Sequence, residues 1–150
     1  MENNDIIVKE VPIEEAVKVN RNVIEFDGKD TTKEDFEKRY VGKDNLIIVA
    51  YYKNIPIGYI IGYDRDNDGS FYCWMAGVDN NYRRLGALTA LMNYQMNWAK
   101  NKGYNKLKIR TRNNRREMLS FLVKNGFNFV SVEQRDNITE NRINLEHDLI

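Results

Sequence analysis

Between residues 45 and 78 the chain carries three runs rich in apolar, β-branched and aromatic residues, broken by short polar stretches. Asn45–Tyr52 and Ile55–Tyr63 are separated by Lys53-Asn54, the length of a tight hairpin loop, and predict an antiparallel pair. Ser70–Val78 is apolar, aromatic or small almost throughout, the pattern of a strand buried on both faces, and Asp79–Tyr82 ends it. From Leu85 the period changes. Leu85, Leu88, Leu91, Met92 and Ala99 recur at spacings of three and four against Asn93, Asn97, Lys100 and Lys102, which predicts a helix of about four turns with Gly103 as its left-handed C′ residue.

On either side the signals are shorter. Ile6–Val11 predicts a strand, and Pro12 with Glu14 and Glu15 opens a helix through about Ile24, because proline and acids suit a first turn. Thr32–Tyr40 predicts a second short helix capped by Thr31 or Thr32. Lys106–Arg112 alternates charge with apolar residues or Thr, as a strand with one wet side does. Asn114 as N-cap with Glu117 three residues on predicts a helix whose buried stripe is Met118, Phe121 and Leu122 and whose end is Gly126. Phe127–Gln134 and Asn141–Leu149 complete the chain as an antiparallel pair. The order β-α-α-β-β-β-α-β-α-β-β is that of an α/β domain with a mixed, mostly antiparallel central sheet flanked by about four helices.

Composition narrows the function classes. A chain of 150 residues is expected to build one domain, and 42% hydrophobic with 30% charged residues argues against disorder and fibrous architecture. The net charge of +1 argues against a nucleic-acid partner. Cys73, the one cysteine, excludes an intrachain disulfide and fits a reducing compartment. No apolar run approaches the roughly 20 residues that span a bilayer, and the start Met-Glu-Asn-Asn-Asp has no signal pattern, so the expectation is a cytoplasmic protein with no membrane partner.

The candidate chemistry lies where the central strand meets the long helix. Arg83, Arg84, Gly86 and Ala87 surround the first, unpaired N–H groups of that helix, an arrangement suited to a phosphate or pyrophosphate; the same residues also suit a plain strand-loop-helix junction with two solvated arginines. Asp64-Arg-Asp-Asn-Asp-Gly69 superficially matches the opening of a calcium loop, but position twelve is Met75 and strands flank it where helices are required, so it reads as a hairpin turn and no metal is expected.

Val78-Asp-Asn-Asn-Tyr-Arg-Arg-Leu-Gly-Ala-Leu88 resembles the acyl-CoA signature of the GNAT superfamily of N-acetyltransferases, Arg/Gln-x-x-Gly-x-Gly/Ala after a strand ending in a Val-x-Pro-like segment. Arg83 and Gly86 match; Leu88 stands where Gly or Ala is usual, and Asn80 where Pro is common. The element order and a second landmark, Asn114–Phe127, extend the resemblance over most of the chain. It implies that Ser70–Val78 and Lys106–Arg112 run parallel and splay apart, with the pantetheine arm of acetyl-CoA, the implied co-substrate, in the gap. Main-chain groups around Ala76, Gly77 and Val78 are then implied to meet pantetheine, and N–H groups of Arg84, Leu85, Gly86, Ala87, Leu88 and Thr89, beside Arg83, to cradle the pyrophosphate. Asn113 or Asn114 is a candidate for a pantetheine or bridging-water contact, although helix capping also explains Asn114.

The acceptor side is less defined. The tyrosine that protonates the leaving thiolate in the family has its place taken by Leu122, so another tyrosine or solvent must serve. Strict alternation puts Tyr72 and Trp74 on the face of Ala76, where Tyr72 either orients a water or lines the pocket. Glu25, at a predicted helix end, is a candidate for binding or deprotonating an amine or else a surface acid. Cys73 points the other way and packs as a small apolar residue, and His147 is expected at the surface. Lys106, Lys108, Arg110, Arg112, Arg115 and Arg116 suit the adenosine phosphate of CoA, a nucleic-acid backbone or simply a solvated strand edge. The expectation is transfer of an acetyl group to a primary amine of a small molecule; the alternatives are a CoA-binding sensor with little turnover and a protein or peptide acetyltransferase. Relatives in that family are often dimers, so a homodimer is also implied.

Overall fold

The computed structural model describes residues 5–23 and 31–150. Its elements are β1 (Ile6–Glu10), α1 (Ile13–Asn20), α2 (Lys33–Tyr40), β2 (Asn45–Tyr52), β3 (Ile55–Tyr63), β4 (Ser70–Val78), α3 (Ala87–Asn101), β5 (Lys106–Arg112), α4 (Arg116–Lys124), β6 (Asn128–Glu133) and β7 (Arg142–Asp148). The strands form one sheet in the order β1-β2-β3-β4-β5-β7-β6, antiparallel everywhere except between β4 and β5.

Local chemistry explains most of these bounds. Lys53 and Asn54 both take positive φ, +49° and +71°, as a two-residue hairpin turn requires. Thr32, rather than Thr31, caps α2, exchanging bonds with Asp35 in a capping box. The first helix ends at Asn20, four residues before the expected limit, because the chain tightens there into three-residue turns and the buried Asn20 amide donates to the Tyr59 hydroxyl at 2.7 Å.

The sheet has two apolar faces. On one, α3 and α4 cover Ile48, Ile60, Phe71, Cys73, Leu107, Ile109, Ile143 and Leu145. On the other, α1 and α2 cover Val49, Tyr59, Ile61, Tyr63 and Tyr72. The long helix lies close to β3 because Gly62 carries no side chain: a Cβ there would meet Gln95 and Phe71 at 2.6 Å.

Four further expectations change. Asn114 does not cap α4; the chain turns once more through Arg115, and the Asn114 amide donates to Glu140 at 3.2 Å. Of the expected α4 stripe only Leu122 is buried, Met118 and Phe121 being half-exposed. The Lys106–Arg112 strand is no edge, since β7 returns between β5 and β6, and its charged side chains meet acids: Lys106 pairs with Glu146, Lys108 with Asp66 and Asp68, Arg110 with Glu133. His147 is half-buried, its ring 5.1 Å from that of Phe127.

Candidate active site

The two parallel strands part company midway. Pairing runs from Ser70 opposite Lys106 to Cys73 opposite Ile109 and then stops, leaving Trp74–Val78 and Arg110–Arg112 on the two banks of a gap. A β-bulge sits at the parting point: Gly62 faces Cys73 but Ile61 faces Met75, so Trp74 is the extra residue. The bulge shifts the alternation. Tyr72, Trp74 and Met75 pack on the α1/α2 face, whereas Ala76 and Val78 pack on the α3 face. The expectation from strict alternation, that Ala76 shares a face with Tyr72 and Trp74, is therefore corrected.

The ladder shows where main-chain groups point. Asp79 donates its N–H to the Ile57 carbonyl at 2.8 Å, which makes it a hydrogen-bonded position facing β3. Every second residue of an antiparallel strand does the same, so Gly77 also faces β3 and the peptide groups of Ala76 and Val78 face the gap. The Val78 carbonyl is engaged by Arg83, whose Nε and Nη2 both donate to it at 3.1 Å. Arg83 thus braces the end of the strand, and its guanidinium also lies 3.9 Å from Glu117.

Arg83 and Arg84 precede α3 rather than forming its first turn, because the backbone at Arg84 and Gly86 is left-handed, φ +67° and +91°, before the helix begins at Ala87. Glycine is the residue that takes this conformation at least cost. No side chain caps the helix, and Ala90 is the first residue to donate into it, to the Gly86 carbonyl at 3.0 Å. The N–H groups of Ala87, Leu88 and Thr89 are therefore bare at the positive end of a 15-residue helix.

A cleft of about 980 Å³ joins these features, running from Arg84, Gly86, Ala87, Leu88 and Thr89, past Ala76, Gly77 and Val78, to Tyr72 and Trp74. Bare N–H donors at one end, outward-facing strand peptides in the middle and an aromatic chamber at the other fit a molecule with a diphosphate, a thin amide arm and a reactive tip. Asn114 lines the cleft. Asn113 instead locks β5 to the β7 side, its N–H donating to Asn141 at 2.8 Å and its side chain to Ile138 at 3.1 Å.

At the chamber end, the Arg65 guanidinium lies 3.8 Å from the centre of the Tyr72 ring, and Tyr63 meets that ring edge-on at 5.8 Å. Burial raises the Tyr72 pKa above its ordinary value, so the phenol stays protonated at neutral pH. Arg39 stacks 4.8 Å from Trp74, with Phe36 at 5.6 Å. Cys73 is fully buried on the opposite face with its pKa pushed up to about 12 by burial, which makes it inert. Leu122 is fully buried as well, so the position expected to carry an acid belongs to the core. Glu25 lies outside the described residues. The sequence reading missed Met75, Tyr82, Met118, Phe121 and Arg142, all of which line the cleft. Of these only Met118 and Phe121 carried a local signal, as members of the apolar stripe expected of α4.

The model of the Acetyltransferase (GNAT) family matches residues 14–127, and the chain belongs to that family. Among solved structures, an aminoglycoside 6′-acetyltransferase type Ii has a TM-score of 0.81 and 16% identity over 96% of this chain and 97% of its own. The ribosomal-protein-S18-alanine N-acetyltransferase of Escherichia coli has a TM-score of 0.79 and 13% identity over 96% and 94%. A putative streptothricin acetyltransferase of Bacillus anthracis, in complex with acetyl coenzyme A, has 0.66 and 23% over 75% and 67%. No curated protein matches significantly. At these identities the structural likeness shows the fold alone.

Proposed function

We propose that this chain transfers an acetyl group from acetyl-CoA to a primary amine of a small molecule by direct attack within a ternary complex. The observation that carries this reading is a continuous cleft that joins bare helix N–H groups to an aromatic chamber on the opposite side of the sheet. Ala87, Leu88 and Thr89, with the N–H groups from Arg84 onward, would hold the diphosphate, and the peptide groups of Ala76 together with the N–H of Val78, whose carbonyl Arg83 already engages, would hold the pantetheine amides. When bound, the co-substrate supplies the activated acyl group. The chain's part is to fix the amine against the carbonyl carbon and to exclude competing water. Tyr72 contributes a protonated hydroxyl to the chamber rather than a base, and Glu25 remains the proposed amine-facing carboxylate. Among the described residues Glu117 is the one carboxylate that lines the cleft, and it is exposed beside Arg83.

The same fold carries acetyltransferases named for an aminoglycoside and for a ribosomal protein, so fold does not choose between small-molecule and protein amines. The aromatic and apolar lining at that end, Tyr72, Trp74 and Met75, supports the small-molecule reading. No described helix is long and apolar enough to cross a membrane. The single buried cysteine supports a reducing compartment, the cytoplasm.

Four measurements test the proposal. Release of free CoA from acetyl-CoA should require an added amine. Calorimetric binding of CoA should fall by about a hundredfold in Gly86→Val, because a β-branched residue resists positive φ and covers main-chain donors. Unchanged affinity in that variant would overturn the placement of the diphosphate. In Glu25→Gln the acidic limb of the pH profile should flatten, and in Tyr72→Phe turnover should fall by less than about tenfold.

A further inference from the structure

The alternating cations of β5 join β7 and the β6 end in a cluster on the sheet face that carries Tyr72, opposite the face on which α3 begins. Glu133 sits between Arg110 at 3.0 Å and Arg135 at 3.5 Å, and Glu140 between Arg112 at 3.5 Å and Arg142 at 3.7 Å. Four guanidinium groups therefore share two carboxylates. Both carboxylates are further engaged, Glu133 by the Asn144 amide at 2.9 Å and Glu140 by the Asn114 amide at 3.2 Å.

A cluster that served stability alone would balance its charges and satisfy its donors, since unmet buried groups cost free energy. This one does neither. The Arg110 Nε is buried without a hydrogen-bond partner, and burial together with the positive charges of Arg112, Arg135 and Arg110 depresses the pKa of Arg142. Arg110, Arg112 and Arg142 also line the cleft. Their face separates them from the helix N-terminus that suits the diphosphate, so the surplus positive charge belongs to the acceptor's side of the gap.

We propose that the acceptor amine carries an anionic group, a carboxylate or a phosphate, that docks on Arg110, Arg112 and Arg142 while its amine reaches the gap between β4 and β5. The inference rests on the acetyl-transfer reading and names the acceptor class within it. Guanidinium pairs suit such an anion because their planar forks match its oxygens. It excludes polyamines and other polycations as good acceptors, which the surplus would repel.

The test keeps donor and acceptor binding apart. CoA is first added to saturation, which fills the diphosphate site and registers whether the donor binds at all; failure there overturns the acetyl-transfer reading and this inference with it. Inorganic phosphate and acetate are then titrated separately while the fluorescence of Trp74 is followed in a Trp98→Phe background. The expected result is saturable binding of at least one anion, the better of the two showing which chemistry the site prefers. Loss of a charge-assisted bond in Arg142→Gln should weaken it about tenfold, with partial recovery in Arg142→Lys. In turnover, glycine should exceed glycinamide or O-phosphoethanolamine exceed ethanolamine in kcat/KM, through KM, and the preference should shrink as salt screens the cluster. No saturable anion signal with CoA bound, equal affinity in Arg142→Gln, or preference for the uncharged partners or spermidine would overturn the inference while leaving acetyl transfer intact.

Discussion

The lower and upper halves of the β4/β5 pair are made from adjacent residues of the same two strands, yet they have opposite characters. Below the bulge, Ser70–Cys73 is buried, all four residues pair with β5 and Tyr72 and Cys73 also pair with β3, and Phe71 packs between Trp98 at 5.0 Å and Tyr104 at 5.1 Å. Above it, Trp74, Met75, Ala76 and Val78 are half-buried and their outer edge has no neighbouring strand. The difference teaches that the site is a place where the fold stops completing itself. One extra residue at Trp74 and the loss of a parallel partner leave polar main chain facing a cavity, and the stable half below holds the two banks apart.

If that division is right, substitutions below the bulge act on stability and those above it act on binding. The largest effect is expected for Phe71→Ala, which removes a fully buried ring and should cost about 3–5 kcal/mol by urea denaturation, with CoA affinity of the folded fraction unchanged. A comparable fall in CoA affinity would break the division. Next comes a pair of neighbours. Gly77→Pro removes an N–H that faces β3 and should cost about 1–3 kcal/mol, whereas Ala76→Pro removes one that faces the gap and should spare stability while weakening CoA about tenfold. The reverse pattern would show that the assigned peptide orientations are wrong.

The smallest effect concerns the clamp below the bulge, where Lys108 reaches Asp66 at 3.1 Å and Asp68 at 3.0 Å. Lys108→Met should cost about 1 kcal/mol, as expected for ion pairs that keep part of their contact with solvent. Hydrogen bonds, from Arg65 and Lys108 to Asp66 and from Ser70 and Lys108 to Asp68, hold both carboxyls below the ordinary range in the folded chain. Their stabilisation is thus complete above the unfolded value of about 3.9 and is lost as pH falls toward the folded values. Melting temperatures measured from neutral pH down to about pH 2 should drop less steeply in Lys108→Met than in the wild type.

The parts of the site written in consecutive residues were legible. Ser70–Val78, the junction at Gly86 and the period of α3 are local patterns, and the Lys53-Asn54 turn follows from loop length alone. What could not be read depended on neighbours distant in the chain. The bulge at Trp74 exists only relative to β3, and it reversed the face assigned to Ala76. The charged alternation of β5 resembled a solvated edge because nothing in Lys106–Arg112 reveals that β7 will lie beside it. Asn114 and Glu117 had the spacing of a capping box, but the chain turns once more through Arg115, and Glu140, brought in from 26 residues away, accepts from the Asn114 amide.

The sequence by itself therefore determined the elements, their order, the glycine-bearing junction before α3 and the family to which the chain belongs, because each is encoded in short-range periodicity and backbone preference. Only the tertiary structure decided where the parallel strands separate, which peptide groups the gap exposes and that four arginines from β5, β7 and the end of β6 meet on one face. Those outcomes depend on strand register and sheet order, which arise from packing between segments that the chain keeps far apart.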